Sequence, residues 1–265
     1  MSRGLEAAGR DILSRAIGRL APPRPTTVEE IRARPVRRVL VVRQHHEIGD
    51  LLLATPLLTS LRRGFPGAAV DLLVNRYAAR AAAGNPDLAE VLVLDRKALW
   101  NPATLRWWWK RLRGVGYDLA VVSSTETASF MNGLLARLTG APVVGFETRP
   151  QGARWGEDLY HCLVPWRGDG RPQWDVNLDL ARALDCPVSE ARLVYRVDPE
   201  SRDWARLWLD EHAAGGPATA GRRRVGVFIG GDPSRADRLW DAENAAEAVR
   251  ALAAHWNVVL IGAPA

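Results

Sequence analysis

From Val36 onward, short apolar runs alternate with amphipathic stretches, which predicts strands and helices in turn. Continuous apolar runs at 38–43, 69–74, 90–94, 118–123 and 143–146 fit strands of a parallel sheet covered on both faces. Helices fit 50–64, 76–83, 101–113 and 127–139, with Phe65-Pro66-Gly67 and Asn85-Pro86 as breaks. Residues 147–175 are polar and rich in Gly and Pro, and read as a long surface loop. A helix resumes over 176–184, a strand over 193–197 and a helix over 199–213. Gly215-Gly216-Pro217 and Gly221 form a hinge-like linker. The theme then restarts, with a strand at 225–229, a loop at 230–234, a helix at 241–254 and a strand at 258–261.

This order predicts an α/β protein with residues 36–198 as a first domain and 199–221 as a connecting helix and linker. Residues 222–265 would begin a second α/β domain. One βαβ unit is too little to bury a sheet on both faces, so this second part is expected to be truncated or reduced. Residues 1–35 stand apart as an amphipathic helix and a proline-rich linker. Leu5, Ile12, Leu13, Ile17 and Leu20 share one face of that helix, and Arg3, Arg10, Arg15 and Arg19 lie mostly away from it. It suits either a weak attachment to anionic lipid or packing on the protein's own surface.

Composition narrows the class. Of the 265 residues, 47% are hydrophobic and 25% charged, which argues against disorder over the whole length. The net charge of +6 comes mostly from arginines and suits anionic partners such as phosphates or an acidic membrane surface. No zinc-finger spacing or RNA-binding signature supports nucleic acid. Cys162 and Cys186 form no metal-binding or redox pair and read as reduced thiols, and no apolar run reaches membrane-spanning length. A cytoplasmic protein without a bound metal is expected.

Two loops carry candidate chemistry. The first is Arg43-Gln44-His45-His46-Glu47-Ile48-Gly49-Asp50, directly after the first strand. In open α/β sheets, ligands bind where loops leave the carboxyl ends of the strands. Asp50 falls there, next to a glycine expected to let the backbone turn sharply, and a helix N-terminus can hold its carboxylate ionised. That suits a general base. A single glycine argues against a dinucleotide fingerprint, and so against a dehydrogenase. The second loop is Gly230-Gly231-Asp232-Pro233-Ser234 with Arg238. Its small residues let backbone N–H groups approach a phosphate, Ser234 can donate a hydroxyl hydrogen bond, and Arg238 can neutralise a diphosphate.

The ordered set of motifs resembles glycosyltransferase family 9, the heptosyltransferases of lipopolysaccharide core assembly and their relatives. It comprises Arg43, Ile48-Gly49-Asp50, Ala54-Thr55-Pro56-Leu57-Leu58, Leu61 to Pro66, Val70 to Val74, Asn85-Pro86, Tyr117 to Ala120 and Leu138 to Phe146. It resumes at Val225 to Gly231 and Arg238-Leu239-Trp240. The resemblance implies a GT-B architecture of two Rossmann-like domains. The amino-terminal domain would take a glycolipid or glycan acceptor, and the carboxyl-terminal domain a nucleotide-diphosphate-sugar. ADP-heptose is the candidate donor, and no other cofactor is expected. The implied reaction inverts the anomeric centre without a metal. Asp50 matches the family's base, with Ile48, Gly49, His46 and Glu47 around the substrate. Gly230, Gly231, Ser234 and Arg238 match its donor-phosphate loop.

Departures from the family pattern qualify these expectations. His45, His46 and Glu47 stand where small residues are more usual, Arg238 replaces a lysine, and Asp241 stands where proline is frequent. No counterpart of the family's later nucleotide-binding residues follows, so weak or absent transfer by this chain alone is expected. The alternative is a truncated, non-catalytic relative that binds an acceptor or partner. Trp107-Trp108-Trp109, beside Lys110 and Arg111, span a wide arc of one helix. They read either as two core-facing rings with one half-exposed, or as exposed rings for a sugar or the inner membrane surface.

Overall fold

The computed structural model describes residues 22–44, 47–95, 98, 101–124, 129–147, 156–167, 170–188, 192–212, 221–229 and 240–262. The amphipathic helix expected over residues 1–20 lies outside them. The chain divides into two compact units, Met1–Arg196 and Val197–Ala265.

The first unit holds a six-stranded sheet built from β1 (Arg38–Arg43), β2 (Ala69–Val74), β3 (Glu90–Val93), β4 (Leu119–Val122), β5 (Val143–Phe146) and β6 (Cys162–Val164). The spatial order is β3-β2-β1-β4-β5-β6, and every pairing is parallel. This is the doubly wound order, in which the strand sequence reverses between β1 and β4. Alternate residues of β1 face opposite sides, as the period of a strand requires. Val39 and Val41 join one core with Val70, Leu72, Val121 and Phe146, while Leu40 and Val42 join the other with Leu73, Ala120 and Val143.

Helices cover both faces. On the Val39 side lie α1 (Val28–Arg32), α2 (Ile48–Leu52), α3 (Thr55–Gly64), α4 (Arg76–Ala82) and α7 (Gln173–Ala183). On the Leu40 side lie α5 (Pro102–Val115) and α6 (Phe130–Arg137). Helix α1 interrupts the expected proline-rich linker. Thr27 and Glu30 form a reciprocal capping box there, which satisfies two N–H groups of a very short helix. Gly64 allows the tight approach of α7's end, since a Cβ at that position would meet the Cys186 sulfur at 2.3 Å.

Several expectations are corrected. The helix expected over 50–64 is two helices. Pro56 has no N–H to give the Leu52 carbonyl, and the Thr55 hydroxyl donates to that carbonyl instead at 2.7 Å. The loop expected over 147–175 contains β6, whose three residues pair with Val144, Gly145 and Phe146. The strand expected over 193–197 does not form. Leu193, Tyr195 and Val197 alternate as a strand would, but all three are exposed and pair with no sheet. Of the three tryptophans on α5, only Trp108 is buried, because the core face runs through Trp108 and Leu112. Steps of 100° put Trp107 and Trp109 on either flank, both exposed.

The second unit contains α8 (Pro199–His212), β7 (Arg224–Phe228), α9 (Ala242–Ala253) and β8 (Asn257–Ile261), with β7 and β8 paired in parallel. Asp241 caps α9 by accepting from the N–H groups of Glu243 and Asn244. No residue of α8 or α9 is buried.

Candidate functional site at the end of strand β1

The point where strand order reverses brings together the carboxyl ends of β1 and β4. Arg43 is the last residue of β1 and Ser123 follows β4. The Arg43 side chain is 1% exposed. Its Nη1 donates to the Ser123 carbonyl at 2.5 Å and lies 3.0 Å from the Ser123 hydroxyl. One guanidinium thereby ties together the two strands that flank the switch point. Burial lowers its pKa to about 10, partly offset by the carboxylates of Asp50 and Glu47, so Arg43 is cationic at neutral pH.

Asp50 lies in the first turn of α2, and its side chain is 37% exposed. Its Oδ2 stands 3.9 Å from Arg43 Nη2. The helix is only five residues long and its N-cap, Glu47, makes no side-chain cap bond. A full helix dipole is therefore not available, and the charge set against Asp50 is the arginine of the preceding strand. Two contacts fix where α2 ends. Asn177 of α7, fully buried, donates from Nδ2 to the Leu53 carbonyl at 2.8 Å, and Thr55 Oγ1 accepts the Val194 N–H at 2.9 Å.

The other predicted residues of this loop divide. Ile48 is partly buried and packs on the core, so it seats α2 on the sheet. Glu47 is exposed. Gly49 does not make the expected sharp turn. It is helical, without a left-handed φ, and a Cβ there would meet nothing within 4 Å. His46 lies outside the described residues, as do Gly230, Gly231, Ser234 and Arg238 of the second loop.

Two residues at this strand end bear on the site without having been predicted for it. Arg43 stood out only as part of a motif, and Ser123 not at all. Gln44, 2% exposed, has both side-chain amide atoms buried with no hydrogen-bond partner among the described residues. A cavity of about 220 Å³ lies elsewhere in the first unit, lined by Pro56, Thr59, Ser60, Arg63, Asp87, Arg192 and Val194. Neither Arg43 nor Asp50 lines it. Among the described residues no group of three or more His, Cys, Asp or Glu could hold a metal ion, and no helix is long and apolar enough to cross a membrane.

The fold and site define an α/β protein of the Rossmann-like kind, with a carboxylate at the switch point. No family model matches the sequence. The chain is 27% identical over 222 residues to lipopolysaccharide heptosyltransferase 3 of Escherichia coli, an alignment covering 82% of this chain and 61% of that protein. Among solved structures, it matches the glycosyl transferase family 9 protein of Veillonella parvula with a TM-score of 0.66 and 19% identity, covering 86% of this chain and 63% of that one. It matches E. coli heptosyltransferase WaaC with ADP-2-deoxy-2-fluoro heptose with a TM-score of 0.60 and 20% identity, covering 86% and 70%. The chain spans about three fifths of the length of the curated relative. The sequence is thus similar to curated heptosyltransferases, and its fold is that of the solved family 9 and heptosyltransferase structures.

Proposed function

We propose that the chain serves a glycosyltransferase reaction of the heptosyltransferase type. A sugar would pass from a nucleotide-diphosphate-sugar to a lipopolysaccharide-core or related glycan acceptor. The observation that carries this reading is Asp50, half-exposed in the first turn of α2 and faced by a buried arginine at the switch point. In the proposed step, Asp50 takes the proton of an acceptor hydroxyl while that oxygen attacks the anomeric carbon. The bond to the diphosphate breaks on the opposite face, the anomeric centre inverts, and the nucleoside diphosphate leaves. Ser234 and Arg238 are proposed to stabilise the leaving diphosphate, so that no metal is needed. ADP-heptose is the donor to test first, because the similar WaaC structure holds an ADP-linked fluoro-heptose. A cytoplasmic protein with a peripheral contact at the inner membrane face, through residues 1–20 or Trp107 and Trp109, belongs to the same proposal.

The test is transfer from ADP-heptose to a lipopolysaccharide-core acceptor by the chain and by its Asp50→Asn variant, with donor binding followed by calorimetry. Removing the base is expected to lower turnover by at least about 100-fold and to leave donor affinity unchanged. Equal turnover by the two proteins sinks Asp50 as the base. Acceptor binding with no donor binding and no transfer would favour the reading as a non-catalytic binding relative.

A further inference from the structure

We propose that Arg43 is a positioning residue for Asp50, clamped by Ser123 at one end of its guanidinium and offering its remaining N–H groups to the carboxylate. The inference rests on the reading of Asp50 as the base and adds the group that sets its direction.

The geometry supports it in three ways. First, Arg43 is 1% exposed, yet among the described residues only its Nη1 finds hydrogen-bond partners, while Nε and Nη2 are buried with none there. Buried N–H groups of a cation left unmatched are unfavourable, and native structures seldom keep them without a reason. Second, among the described residues the carboxylate set against those groups is that of Asp50, with Oδ2 at 3.9 Å from Nη2. A movement of about 1 Å brings the pair to charge-assisted hydrogen-bond distance, and such bonds commonly tighten only once substrate is bound. Third, the two ends of the guanidinium face different elements, the end of β4 and the first turn of α2. Ser123 fixes Nη1 from the end of β4, so the planar fork transmits the position of β4 to the loop after β1. A lysine would supply the charge without that geometry. Glu47 also acts on the guanidinium electrostatically, from the N-cap of the same short helix. Burial lowers the Arg43 pKa only to about 10, so the cation persists under working conditions.

The experiment compares the full chain with Arg43→Met, Arg43→Lys, Asp50→Asn and Arg43→Met/Asp50→Asn. Two readouts are used. One is the ¹³Cγ resonance of Asp50, assigned by its loss in Asp50→Asn. It is expected to shift in Arg43→Met and to shift less in Arg43→Lys. The other is transfer kinetics. Arg43→Met is expected to lower kcat by about 10- to 100-fold with KM within about twofold, and Arg43→Lys to recover part of the loss. In the Asp50→Asn background, Arg43→Met is expected to change nothing further, because its effect runs through the missing carboxylate.

An Asp50 resonance that stays put in folded Arg43→Met or Arg43→Lys overturns the proposal. So does an Arg43→Met effect of the same size with and without Asp50. Should no variant, nor the parent chain, transfer sugar, the transferase reading fails while the resonance still decides whether Arg43 positions Asp50. Should Arg43→Met fail to fold, Arg43→Lys alone decides: a shift supports the proposal and an unmoved resonance overturns it.

Discussion

The two units of the chain are written in the same local code and reach different degrees of burial. In the first unit, β1, β4 and β5 lie between two layers of helices, and Leu40, Val42, Leu119, Val121, Val143 and Val144 are almost wholly out of water. In the second, β7 and β8 are equally apolar runs, yet Phe228, Leu260 and Ile261 are each more than half exposed. The difference teaches that an apolar run specifies a strand, whereas its burial is set by how many layers stand beside it. Among the described residues, six strands with helices on both faces make a core, and two strands with one connecting helix do not. The functional consequence lies in the first unit. Only a dry strand end can hold a cation such as Arg43 so completely out of water, and there its field on Asp50 is strongest.

The largest effect expected from this contrast is at Leu57 on α3, which is fully buried against the Val39 side of the sheet. Leu57→Ala is expected to destabilise the first unit by about 2–5 kcal/mol in urea unfolding, from lost apolar transfer and the cavity left behind. A cost below about 1 kcal/mol would mean that the helix layer over β1 is loosely packed and that the contrast is overstated.

A second test asks how far burial extends toward the β6 edge. His161, just before β6, has its pKa lowered to about 4 by burial and then by the Arg137 guanidinium. Its Nδ1 lies 2.9 Å from the Val143 N–H and its Nε2 2.8 Å from Arg137 Nη1. A neutral imidazole has one lone pair, so it accepts from one of these donors, and a protonated ring accepts from neither. The folded pKa lies below the unfolded value of about 6.5, so the unfolded chain binds the proton more readily. The group's contribution to stability is therefore complete above about 6.5 and is lost as pH falls through about 4. The expected loss is about 1–2 kcal/mol after allowance for partial solvent screening. His161→Gln keeps one acceptor and cannot be protonated, so its unfolding midpoint should fall less between about pH 7 and pH 4. Identical pH profiles for the two proteins would place the imidazole in contact with water.

What the sequence made legible follows from the same physics. The central strands β1, β4 and β5 were readable because a strand covered on both faces is apolar along its covered length, as the runs around Val41, Val121 and Val144 are. The position of Asp50, just after the first strand, was readable because sequence order alone locates a strand end. Other features depend on partners that sequence order does not reveal. Cys162-Leu163-Val164 is too short and too closely set among Gly and Pro to stand out, and becomes β6 only because β5 offers a free edge. Leu193 to Val197 shows the right alternation and finds no edge to join. Arg43 is one arginine among many, and nothing local marks it as buried. Its one signal is a charged residue closing the apolar run Val39 to Val42 of a central strand. The role of Trp108 against Trp107 and Trp109 was likewise set by Leu112, one turn further along the helix.

The smallest effect belongs to the second unit and bears on the comparison directly. Leu260 in β8 is 53% exposed, so its truncation removes from the protein only area that water already shares. Leu260→Ala is expected to cost at most about 0.5 kcal/mol, which corresponds to amide exchange in β7 faster by no more than about threefold. The unfolding midpoint of the first unit should not move. If Leu260→Ala instead cost as much as Leu57→Ala, the apolar face of β8 would be covered in solution, and its exposure would not be an intrinsic property of a two-stranded unit. Measuring the exchange rates at several protein concentrations then separates the two sources of cover. A cost that grows with concentration identifies another copy of the chain, and a cost independent of concentration identifies a contact within one chain.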